Sequence, residues 1–266
     1  MAGVRGGHKG EQRIEDRIDV ARAAGLFALM DMPGEVEPGT VLPPLAHFIY
    51  FWDTARQSDL GDDGHAAVGG HLPDTGLPLR MWAGGRFAFH APFKAGVQAN
   101  RVSRVTGLQR KTGRSGELAF VTVRHMIHQA GRLVLTEDQD IVYRSDTSER
   151  PEPPTTDARF EEALPIRFDA AKLFRYSALT FNAHRIHYDH PYCRVHGYPG
   201  LVVHGPLLAT VLAMVAADRL GSLKTFSFRA TAPLFGGEPA RICRDGRKLW
   251  IEGPERRLCM TADASA

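Results

Sequence analysis

The chain is short of the features that mark out whole classes of protein. It has three cysteines, Cys193, Cys243 and Cys259. They are widely spaced and odd in number, so they offer neither a disulfide framework nor a zinc-binding spacing, and a reducing cytoplasm is the expected location. No apolar run approaches the ~18 residues of a membrane span. The first residues, Met1–Gln12, are polar and glycine-rich with no apolar segment. They read as the disordered tail of residues 1–13 rather than as a signal peptide. The net charge is only +3, which gives no case for a nucleic-acid partner but suits an anionic ligand. What remains is a composition of 43% hydrophobic and 24% charged residues over 266 positions. That supports one large core or two modest ones.

Apolar residues at Ile14, Ile18, Ala21, Leu26 and Leu29 lie close to helical spacing and predict a helix over Ile14–Met30. Leu45–Trp52 reads as a short buried helix started by Pro43 and Pro44. Asp53–Pro78 is a long loop rich in Gly, Asp and His, long enough to suggest function. Gly85–His90, Val97–Thr106, Leu118–Ile127 and Leu133–Tyr143 are β-rich, with turn residues at Lys111–Gly116 and Gln129–Arg132, and read as an antiparallel meander. Met81, Trp82, Phe87 and Phe89 are expected in the core. Ser145–Ala163, rich in Pro, Glu and Thr, reads as a linker.

A second unit follows. A strand is expected at Ile166–Phe168, a helix at Ala170–Leu179, an irregular loop at Asn182–Gly200 and an apolar helix at Pro206–Leu220. Short strands are expected at Thr225–Thr231, Arg241–Asp245, Leu249–Glu252 and Arg257–Thr261. The order of elements repeats, which fits two copies of one α+β unit, a helix wrapped by an antiparallel sheet.

The chemistry concentrates in Thr180–Asp189 and Val203–Pro206. The first stretch is polar and carries His184 and His187, and the second opens the apolar helix with Gly205. A histidine moves protons near neutral pH. The free N–H groups at a helix start hold a developing negative oxygen.

Asn182-Ala-His-Arg-Ile-His187-Tyr-Asp189, with Val203-His204-Gly205 following so that Gly205 lies eighteen positions after His187, resembles the signature of MaoC-like hotdog hydratases and dehydratases. In that family the pattern is Asp-x-Asn-Pro-x-His-x-Asp, then an apolar-His-Gly step. The Thr-Phe-Asn and His-Arg-Ile-His-Tyr-Asp variant resembles a narrower branch, the mesaconyl-C4-CoA (3-methylfumaryl-CoA) hydratases and 3-hydroxyacyl-thioester dehydratases of mitochondrial type. Leu42-Pro43-Pro44, Met81–Arg86 and Phe226-Ser-Phe-Arg229 fit the same branch, and the resemblance spans residues 14–262. It implies a double hotdog with a non-catalytic N-terminal half (14–145) completing a substrate tunnel. A linker (146–164) and a catalytic C-terminal half (165–266) complete the expected division. It also implies an acyl thioester of coenzyme A or acyl carrier protein as substrate and no metal or redox cofactor. A homodimer is expected by analogy with the fold. A hotdog thioesterase and a non-catalytic acyl-thioester-binding subunit are the other readings.

Within this frame His187 is the base and Gly205 N–H the oxyanion donor. The family's catalytic Asp falls on Asn182, which takes no proton. Either Asn182 positions the water while His187 handles the proton, the favoured option, or His184 is the second acid/base. His204 is expected to be structural. Arg185 is a candidate for holding a phosphate or a free carboxylate, unless it pairs with Asp189; Arg86 and Arg229 are weaker candidates for the same job. Arg101, Arg104, Arg110, Lys111 and Arg114 read as a solvated strand face rather than a coenzyme A contact. His184, His187 and His190 recur every third residue, but no partner completes a zinc motif.

Overall fold

The computed structural model describes residues 3–6, 10–65, 72–113, 116–145 and 152–266. Arg114, residues 66–71 of the long loop and residues 146–151 of the expected linker lie outside the described residues. The frame is one eleven-stranded antiparallel sheet. Its N-terminal half holds β1 (Gly3–Gly6), β2 (Glu11–Arg17), β3 (Leu79–Phe89), β4 (Gln98–Gly113), β5 (Gly116–Gln129) and β6 (Arg132–Arg144). Its C-terminal half holds β7 (Glu162–Ile166), β8 (Thr225–Ala230), β9 (Ala240–Asp245), β10 (Lys248–Glu252) and β11 (Leu258–Ser265). The spatial order is β1-β2-β4-β5-β6-β3-β8-β11-β10-β9-β7.

Two expectations for the N-terminus are corrected. Residues 11–13 are not a loose tail but the start of β2, paired with Arg104, Ser103 and Val102 of β4. The expected helix over Ile14–Met30 is likewise two elements, β2 and α1 (Val20–Leu29). Ile14, Asp16 and Ile18 are buried while Arg13, Glu15 and Arg17 are exposed, the two-residue period of a strand. Burying Asp16 is sustained by the guanidinium of Arg22 at 2.8 Å and the N–H of Phe51 at 2.8 Å. The helix begins at Asp19, whose carboxylate accepts from the N–H of Arg22.

β4, β5 and β6 form the expected meander. β3, first in sequence, lies beyond β6 instead of beside β4. This placement matters because the far edge of β3 pairs with β8, Gly84 opposite Arg229 through Ala88 opposite Thr225, and so joins the halves. The approach is close: a Cβ on Gly84 would stand 2.7 Å from the carbonyl oxygen of Phe228. Phe87 is buried in the core at this seam, while Met81 is exposed. Glu162–Leu164, expected in the linker, pair with β9 instead.

In the C-terminal half α2 (Ala170–Thr180), α3 (His190–Val195) and α4 (Gly205–Leu220) precede the strands. Leu207, Leu208, Leu212, Ala213 and Ala216 of α4 are buried, as a helix wrapped by a sheet requires. α4 packs on β8, β10 and β11, and α1 packs on α2. α4 thus lies against the antiparallel sheet and α1 against α2, and the two halves share one sheet and one main core cluster. This is a double hotdog, α+β in class.

Candidate active site

The catalytic-type loop follows α2. Phe181 ends that helix in the left-handed conformation (φ 53°) and stacks on Trp52 of the other half at 5.1 Å. Asn182 comes next, and its side-chain oxygen accepts from the N–H of His184 at 2.9 Å. This bond fixes the amide orientation and leaves Nδ2 as a donor with no acceptor among the described residues. A 3-10 turn, Arg185–His187, then delivers His187, and Asp189 closes the loop by accepting from Tyr192 N–H at the start of α3.

His187 is buried. Its Nδ1 lies 2.7 Å from the carbonyl oxygen of Val202, so Nδ1 carries the proton and Nε2 carries the lone pair. Nε2 has no partner among the described residues and is not sealed off. Burial pushes the imidazole pKa down to about 4 despite the Val202 bond, and His65 adds to the fall. The ring is therefore neutral at neutral pH, in the tautomer of a base.

His204 lies against this ring, centroids 3.6 Å apart and planes 19° off parallel. It is fully buried, shares a hydrogen bond with Ser177 of α2 at 2.8 Å, and has no partner at Nδ1. Burial, then His187 and His184, push its pKa well down. Since His204 is the N-cap of α4, the stack sets His187 beside the helix start. Pro206 follows at the first turn, and no acceptor among the described residues takes the Gly205 N–H. A Cβ on Gly205 would meet nothing within 4 Å. Packing does not demand glycine here; the missing side chain leaves room beside an unpaired donor.

The long loop buttresses this arrangement from the N-terminal half. Arg185 N–H donates to the carbonyl of Asp63 at 2.9 Å, and its guanidinium donates to the carbonyl of Asp62 at 3.1 Å. Gly64 holds φ +85°, and a Cβ there would lie 2.0 Å from the Ala183 oxygen, so only glycine fits. The ring of His65 packs against His184 at 4.0 Å, tilted by 35°, and Asp63 accepts from His65 at 3.2 Å. The hydrogen bond from His65 holds the Asp63 carboxyl below its ordinary range. Burial, then His65 and His187, push His184 down to about 3. The histidine triplet does not converge: Nδ1 of His187 is taken and His190 is exposed. Asp63, His65 and His184 are the group of metal-ligating type that does come together among the described residues.

A cavity of about 840 Å³ opens between the halves. Its wall includes Trp82, Arg101 and Glu137 from one half and Ser177, Asn182 and Pro206 from the other. None of the three arginines picked out for substrate binding lines it. Arg185 pairs with Asp189 at 2.7 Å, Arg86 is exposed and paired with Asp140, and Arg229 is an exposed residue of β8. Arg101, assigned to a solvated face, lines the cavity and is half-buried there, and the exposed Arg80 lines it too.

Residues 45–236 match the family profile described as hydroxyacyl-thioester dehydratase type 2. The mesaconyl-C(4)-CoA hydratase of Chloroflexus aurantiacus is 42% identical over 94% of this chain and 93% of its own length. The chain belongs to the hydroxyacyl-thioester dehydratase type 2 family. A mitochondrial hydroxyacyl-thioester dehydratase type 2 of Schizosaccharomyces pombe is 27% identical over 80% of this chain and 81% of its own. A MaoC-like dehydratase from Phytophthora capsici shares the fold, with TM-score 0.71, 10% identity and coverage of 97% and 96%. The protein is a hydro-lyase of this family.

Two features of this member escape a reading of its sequence. His204 looks like helix-start packing until its ring is found on His187. Arg101 looks solvated in a run of basic residues, although a strand places alternate side chains inward, and this one shares its face with buried Ala99 and Ser103.

Proposed function

We propose that this protein hydrates a short, branched, dicarboxylic 2-enoyl-CoA of the mesaconyl-C4-CoA type. In this reading His187 is the base, the Asn182 amide holds the water, and Gly205 N–H is the oxyanion donor. The observation that carries it is the Nδ1–Val202 bond of a neutral His187 stacked against the residue that caps α4. Water gives an electron pair to Cβ and its proton to Nε2 of His187. The alkene pair moves toward the thioester, and charge builds on its oxygen beside the unpaired Gly205 N–H. One such donor contributes about 3–4 kcal/mol to barrier lowering. The imidazolium then returns the proton to Cα, so water is added with no change of redox state. Asn182 lines the cavity while His184 does not, and the Asn182 amide is oriented by the His184 N–H, which supports Asn182 as water holder over His184 as second acid/base.

The 42% identity to a mesaconyl-C(4)-CoA hydratase favours this substrate class. The S. pombe relative supports the second reading, dehydration of a 3-hydroxyacyl thioester, which is the same chemistry reversed. Loss of the enoyl-thioester absorbance across mesaconyl-C4-CoA, crotonyl-CoA and a long-chain enoyl-CoA separates them. Preference for mesaconyl-C4-CoA is expected; turnover of the long chain alone would favour the dehydratase. We further assign a cytoplasmic homodimer, supported by three free, buried cysteines and by analogy with the fold. Light scattering tests the dimer.

A further inference from the structure

Arg101 is a cation with no ion-pair partner among the described residues. On β4 it stands opposite Ile14 of β2 and Ile127 of β5, so both strand neighbours are apolar. Its Nε is sealed from solvent and has no hydrogen-bond partner. Its guanidinium lies 5.4 Å over the ring of Phe51, and the side chain forms part of the cavity wall. Of the groups around it two are engaged elsewhere, and Asp53 shares the cavity wall but forms no ion pair with Arg101 among the described residues. Glu137 is held by His47 at 3.0 Å, and His125 lies between Ser103 at 2.7 Å and Gln139 at 3.2 Å. Glu137, Asp53 and Asp16 act on Arg101 only through space, against the downward pull of burial.

A guanidinium withdrawn from water is costly unless an anion meets it, and its planar fork matches a carboxylate. The phosphates of coenzyme A lie a full pantetheine arm from the thioester. A carboxylate on the acyl group lies within a few carbon atoms of the reacting bond, and a single negative charge is tolerated better than a phosphate beside Glu137.

We propose that Arg101 binds the free carboxylate of the acyl group and so selects dicarboxylic over monocarboxylic acyl thioesters. This rests on the cavity being the acyl-thioester site, and it names the residue that sets the substrate class. The test is calorimetric binding of two saturated analogues, methylsuccinyl-C4-CoA and isovaleryl-CoA, which differ by a carboxylate in place of a methyl. Wild type is expected to prefer the first. In Arg101→Met that preference collapses by about 30-fold or more, the scale of removing one partner of a buried ion pair. Arg101→Lys, which keeps the charge and most of the stem, retains an intermediate preference and guards against a folding failure of the Met variant. An equal loss for both ligands, or an unchanged preference in both variants, overturns the proposal. Because binding needs no turnover, the two readings fail separately. Hydration of mesaconyl-C4-CoA with an Arg101-independent preference sinks only this inference. An Arg101-dependent preference without turnover sinks only the hydratase reading.

Discussion

At the scale of the residue, the surroundings of His187 keep it neutral, which is the state the proposed base requires. Its pKa of about 4 against the ordinary 6.5 sets the activity profile. The acid limb of kcat/KM is expected near pH 4, reached as protonation removes the Nε2 lone pair. A limb at 6.5 would mean a solvated ring. The same shift has a stability consequence. Between about pH 6.5 and 4 the unfolded chain binds protons that the folded ring does not, so stability rises with pH. The contribution is complete above 6.5 and is lost as pH falls toward 4. His184 and His125, at about 3 and about 4, act in the same direction. Thermal melts should therefore show Tm falling steadily from pH 7 to pH 5; a flat profile would contradict the buried neutral histidines. Ser177→Ala leaves His204 with no partner at either ring nitrogen. A loss of ~1–3 kcal/mol is expected in denaturant unfolding, with kcat reduced because the ring stacked on His187 is freed.

At the scale of the element, the site is a loop held by another loop. Gly64→Ala forces a Cβ into the carbonyl of Ala183 at a positive φ, and a cost of ~1–3 kcal/mol is expected. Turnover should fall together with Tm, since the displaced backbone carries Asn182 and His184. By contrast Gly205→Ala adds a Cβ to open space. Its Tm should be unchanged or slightly higher while kcat/KM falls about tenfold or more, as the approach to the amide narrows. If activity survives Gly205→Ala, the oxyanion assignment is wrong. Of these two glycines, Gly205 was legible in the sequence, because its spacing from His187 and the apolar run of α4 are both local. Gly64 was not, because its reason is a carbonyl in the other half. β2 was misread as a helix because a charged residue, Asp16, occupies one of its inward positions. Arg101 was misread for the same cause: a buried charge conceals the two-residue period by which a strand is recognised. His187 and Asn182 were proposed from their pattern, while the neutrality of the ring came only with its burial and the bond to Val202.

At the scale of the whole molecule, neither half encloses the cavity alone. Its wall takes Arg101 and Trp82 from one and Ser177 and Pro206 from the other, and the halves share a sheet through β3 and β8. A separately produced chain of residues 152–266 holds every proposed catalytic group, yet it should have no measurable hydratase activity and should expose the apolar side chains of the seam. Activity in that fragment would show that the N-terminal half is dispensable. The most direct measurement is the kcat of His187→Ala for mesaconyl-C4-CoA, followed by loss of the enoyl-thioester absorbance in a variant whose Tm matches wild type. General-base catalysis by this ring predicts a fall of about 10²–10⁴-fold; turnover within a fewfold of wild type would contradict it.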